Sequence, residues 1–97
     1  MDKTTPLEAA REIINSVDEK MAELFVERMR AAEMIAVYKK EHGIGILDKA
    51  REDEVIRRGS ERISDPMLRE FYVEFLRSNM AISRAYQARL IDSDKKD

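Results

Sequence analysis

Residues 5–43 read TPLEAAREIINSVDEKMAELFVERMRAAEMIAVYKKEHG, and the reading of this stretch decides the fold. Thr5 carries the hydroxyl of an N-cap, Pro6 suits the first helical position because its missing N–H is not needed there, and Gly43 stands just past the end. No helix breaker lies between Pro6 and His42. Leu7, Ile14, Met21 and Ile35 fall on one seven-residue series, and Ala10, Val17, Leu24 and Ala31 fill the second seam position, the pattern by which one helical stripe faces a partner. At ~1.5 Å per residue such a helix is on the order of 55 Å long, about twice the diameter of a compact monomer of this size. The remaining residues are too few to cover it. The spacing therefore predicts a homodimer in which two long helices pack along each other and the shorter segments of both chains cover the rest.

Outward from that helix, Gly43 to Leu47 reads as a short loop, after which Asp48 caps a second helix running to about Arg58, before Gly59. Ser64, Asp65 and Pro66 are another start signal, and Met67, Phe71, Phe75, Met80, Ile82 and Leu90 follow at mostly helical spacings. The expectation is an all-α chain of one domain over residues 1–97, with helices at about 6–42, 48–58 and 66–91 and a frayed, charged tail at 92–97.

Composition narrows the chemistry. Hydrophobic residues at 43% are too many for disorder, and three Gly and two Pro are too few for an all-β chain. With no Cys, disulfides, thiolate nucleophiles and Cys-held metal centres are excluded, and the single His42 leaves no metal cluster to expect. A formal charge of -2 argues against general nucleic-acid binding, which needs a surplus of cations. No apolar run approaches the ~20 residues of a membrane span, and no signal-like segment is expected at Met1, so the chain reads as soluble and cytoplasmic.

Arg28 continues the 7, 14, 21, 35 series and interrupts an otherwise apolar stripe. Lys39 lies eleven residues on, which on a helix leaves it about 20° from Arg28 around the axis and roughly 16 Å along it, close enough to grip one ligand between them. Arg11 is seventeen residues from Arg28, roughly 26 Å, too far to share a small molecule within one chain. In an antiparallel dimer the partner's Arg11 approaches Arg28 instead, giving two shared sites. Each cation also has an ordinary reading: Arg28 paired with Glu23 or Glu27 of the partner subunit, Lys39 complementing a helix C-terminus. Asp48, Arg51 and Glu52 share one face of the second helix, as a cap with an ion pair or as part of a site. Ser83 and Gln87 are i, i+4 neighbours among apolar residues of the third helix, where polar groups need partners. Arg84, beside Ser83, reads as a solvated charge.

Taken together, Pro6-Leu7, Arg11-Glu12, Asp18-Glu19-Lys20, Glu27-Arg28, Lys39, Asp48, Arg51-Glu52 and Ser83 to Gln87 closely resemble the all-helical AroQ class of chorismate mutases over roughly Pro6 to Leu90. The resemblance implies an isomerase that converts chorismate to prephenate, at the branch toward phenylalanine and tyrosine, by an intramolecular [3,3] rearrangement with no cofactor, no metal and no covalent intermediate. It implies Arg28 and the partner's Arg11 as carboxylate clamps and Lys39 and Gln87 as the catalytic donors to the ether oxygen. Asp48 and Glu52 would meet the ring hydroxyl, Arg51 and Ser83 would assist on the carboxylates, and Ile35 and Val55 would form apolar walls. Four cations against two carboxylates match a dianionic guest. The nearest rival, isochorismate pyruvate lyase, shares the fold but by resemblance lacks the contact supplied here by Glu52. A further alternative is a catalytically silent helical dimer that binds a metabolite or a pathway enzyme.

Overall fold

The computed structural model describes residues 5–95, the last two by their backbone alone, and is all-helical over them, with three helices and no strand. The helices are α1, Pro6–Glu41; α2, Lys49–Glu61; and α3, Pro66–Lys95.

Side-chain and backbone hydrogen bonds set the boundaries. Thr5 and Glu8 form a reciprocal capping box, in which the Glu8 N–H donates to Thr5 Oγ1 at 3.1 Å and the Thr5 N–H to Glu8 Oε2 at 3.4 Å. At the far end of α1 the Ile44 N–H donates to the Lys39 carbonyl at 2.8 Å and the Gly43 N–H to the Lys40 carbonyl at 3.3 Å, the paired bonds of a Schellman motif. That motif needs a left-handed residue, and Gly43 supplies it with φ of 64°. The Asp48 carboxylate accepts from the Arg51 N–H at 3.0 Å and so opens α2. Asp65 does the same for α3, accepting from the Met67 N–H at 2.9 Å, with Pro66 at the first helical position.

Two boundaries differ from the sequence reading by more than one residue. Helix α2 does not stop at Arg58 but carries Gly59 inside it and ends at Glu61. Gly59 is buried, and a Cβ added there would run into the Leu76 Cδ1 methyl. The glycine makes room for Leu76 where α2 packs on α3; it does not stop the helix. Gly59→Val should therefore lower stability by about 2 kcal/mol, an overpacking cost read as a lower urea midpoint at unchanged slope. An unchanged midpoint would mean that Leu76 does not press on this position. Helix α3 also runs past the expected end at Ile91, through Lys95, because no Gly or Pro interrupts residues 92–95. Of the expected frayed tail, Lys96 and Asp97 lie outside the described residues.

The chain divides into two compact units, one ending at Ala31 and the other beginning at Ala32. In the first, the described seam residues are open to solvent: Leu7, Ile14, Val17, Met21 and Leu24 are 45–61% exposed. The second contains the last turns of α1 together with α2 and α3, and its small core consists of Ala32, Ala36, Leu76 and Met80. Within it the Tyr86 hydroxyl on α3 donates to Glu33 Oε1 on α1 at 2.5 Å. Among the described residues no helix is long and apolar enough to cross a membrane.

Candidate active site

Most of the residues singled out by their spacing lie in the second unit. Lys39 is in the last turn of α1 and half-buried, and its Nζ donates to the Ile46 carbonyl at 2.6 Å, tying the loop before α2 to the end of α1. An ammonium has three donors, so two remain for a ligand. Asp48, as the α2 cap, has its carboxylate on the Arg51 N–H, and its backbone carbonyl accepts from the Glu52 N–H at 3.0 Å. The cap thus determines where Glu52 leaves the helix.

Arg51, on the same helix, is held by a neighbour of its own. Its guanidinium reaches Glu54 at 3.3 Å, an exposed i, i+3 pair, and Glu54 also holds Arg58 at 3.0 Å. Exposed pairs of this kind contribute only ~0–1 kcal/mol, so a ligand carboxylate displaces them at small cost.

Ser83 and Gln87 are 7% and 6% exposed on the inner face of α3, and Gln87 Nε2 donates to Ser83 Oγ at 3.2 Å. Gln87 Oε1 is buried without a hydrogen-bond partner. If the amide is turned over, Ser83 donates to the oxygen and the NH₂ is left open instead. The open atom is thus an acceptor in the first orientation and a donor group in the second, and only the second turns the free end of the amide into a donor toward a ligand oxygen. An unmet valence costs ~1–3 kcal/mol unless a ligand atom meets it.

Arg84 is the residue that sequence reasoning missed. Instead of facing solvent, its Nη1 donates to Glu52 Oε1 at 2.5 Å and also to Oε2, joining α3 to α2 across 32 positions of sequence. Arg84 and Glu52 line a cleft of about 270 Å³ with Ile56 and Met80. The only available signal was the place of Arg84 between Ser83 and Gln87, which does not name a partner on another helix. A second cleft, of about 530 Å³ and lined by Ala36, Val37, Lys40 and Leu90, holds none of the expected site residues.

Of the expected apolar walls, Ile35 is 48% exposed and Val55 half-buried. Arg11 and Arg28 lie in the first unit, Arg11 exposed and Arg28 half-buried, and neither has a hydrogen bond or ion pair to a described residue.

Comparison with known proteins supplies the deciding observation: the model of one family, chorismate mutase type II, matches residues 10–88. The chain belongs to the chorismate mutase type II family. No curated protein and no solved structure matches it. The family is one of isomerases acting on chorismate, and the matched span contains every expected site residue, from Arg11 to Gln87.

Proposed function

We propose that the chain converts chorismate to prephenate by an intramolecular [3,3] rearrangement, as a cytoplasmic enzyme of phenylalanine and tyrosine synthesis working as a homodimer with two shared sites. The observation that carries this reading is the family match across residues 10–88. The solvent-exposed seam of α1 supports the dimer, since Leu7, Ile14, Val17, Met21 and Leu24 form a regular apolar stripe of the kind that a partner covers.

Each site takes Arg28, Lys39, Asp48, Arg51, Glu52, Ser83 and Gln87 from one chain and Arg11 from the partner subunit. Arg28 and the partner's Arg11 clamp the two carboxylates of the substrate, because a planar guanidinium offers paired donors in carboxylate geometry. Arg51, released from Glu54, and Ser83 assist on the carboxylates. Holding both ends of the enolpyruvyl arm over the ring selects the chair-like conformer, a contribution on the order of several kcal/mol. As the ether C–O bond breaks, negative charge grows on its oxygen. Lys39 and Gln87 donate to that oxygen, and their hydrogen bonds strengthen toward the transition state. Glu52, with Asp48, accepts from the ring hydroxyl.

The test is to incubate the purified chain with chorismate and identify the product. Prephenate is the expected result. Pyruvate with a hydroxybenzoate would assign a lyase instead, and unchanged chorismate would leave a helical dimer that binds without catalysis.

A further inference from the structure

We infer that Arg84 is a positioning residue: it holds the Glu52 carboxylate in the orientation that receives the ring hydroxyl of the substrate and neutralises it toward a dianionic guest. This rests on the reading of the chain as a chorismate mutase.

The geometry favours orientation over stability. The four other ion pairs formed by α2 residues, Lys49–Asp53, Arg51–Glu54, Arg57–Glu61 and Arg58–Glu54, stay within that helix. Arg84–Glu52 alone of these crosses to another element, and it is the least exposed, at 35% and 24% of the two side chains. One nitrogen of Arg84 donates to both carboxylate oxygens, which holds the end of the Glu52 side chain against α3 and so selects its rotamer. A carboxylate has about four acceptor positions, so a guanidinium on the inner pair leaves the outer ones for a hydroxyl. Without Arg84, Glu52 is free to change rotamer in the first turn of α2, on a cleft where Asp53 is tied to Lys49 and Arg77 is a further cation. An unpaired carboxylate there repels a ligand that itself carries two.

Because Arg84 acts through Glu52 and not on the breaking bond, its removal should act on binding. Arg84→Gln is expected to raise KM for chorismate about tenfold while kcat stays within about threefold, the signature of a contact made equally in ground and transition states. Arg84→Lys, which keeps the charge, should recover most of that loss. The discriminating measurement is non-additivity: in a Glu52→Gln background, Arg84→Gln should lower kcat/KM by less than about threefold further, because the group it orients is already gone. Thermal unfolding of every variant checks that the helices remain assembled. If the parent chain converts chorismate but its KM ignores Arg84, or if the losses from Arg84→Gln and Glu52→Gln multiply, this inference fails alone. A parent chain inert toward chorismate removes the proposed function and this inference with it.

Discussion

Homodimers of Arg11→Ala and of Arg28→Ala will each lose at least about two orders of magnitude in chorismate conversion, whereas dimers assembled from one chain of each kind will recover about half the parent rate. Each arginine supplies charge-assisted hydrogen bonds to a carboxylate, worth ~1.5–3 kcal/mol apiece, and paired donors on one group add. Neither side chain has a partner among the described residues, so truncation breaks no ion pair within the chain. The recovery follows from symmetry. A chain bearing Arg11→Ala still has Arg28, and its partner bearing Arg28→Ala still has Arg11, so one of the two sites receives both guanidinium groups and the other neither. Two affinity tags on co-expressed chains isolate the mixed dimer, and steady-state rates per dimer give the answer. Verified mixed dimers as inactive as the two mutant homodimers would overturn the shared site, since no active site would then be completed by Arg11 of one chain and Arg28 of the other.

What could be read from the sequence, and what could not, divides by the range of the interaction. Thr5 with Pro6, Asp48, and Asp65 with Pro66 each start a helix through hydrogen bonds to residues two or three positions away, and all three starts are legible because cause and effect share one turn. The two glycines make the contrast sharper. Gly43 ends α1 because its own backbone adopts a positive φ, a local demand that its place after a basic last turn announces. Gly59 makes room for Leu76, and a side chain seventeen residues further on leaves no mark on the local pattern. The same distinction separates the site residues. Ser83 and Gln87 bond to each other at i, i+4, as their spacing foretells. Arg51 shares a face with Asp48 and Glu52, but its guanidinium is held by Glu54, a competing neighbour at i+3. Arg84 is opaque from sequence because its partner is on a different helix, and only the packing of α2 on α3 brings the two together.

The second large effect concerns Gln87→Glu, which should lower kcat/KM by about 10²–10³-fold at neutral pH and regain much of it on acidification, while the parent shows no such recovery. A glutamine amide donates whatever the pH. A carboxyl donates only when protonated, and once ionised it is an acceptor that repels the charge developing on the ether oxygen. The sign follows directly: activity is present below the pKa of the introduced carboxyl and lost as pH rises through it. An unperturbed glutamate titrates near ~4.3, and burial raises that value. Position 87 is 6% exposed, so desolvation pushes the midpoint up, opposed by the ammonium of Lys39 if both groups meet the same oxygen. Gln87→Ala provides the control, because a side chain with no donor loses rate at every pH. The measurement is log kcat/KM against pH for parent and both variants. A Gln87→Glu profile that runs parallel to the parent would take Gln87 off the ether oxygen and leave Lys39 as the sole donor there. A slope gained only by Gln87→Glu would mean that the buried amide of this chain turns its NH₂ to the atom on which charge appears.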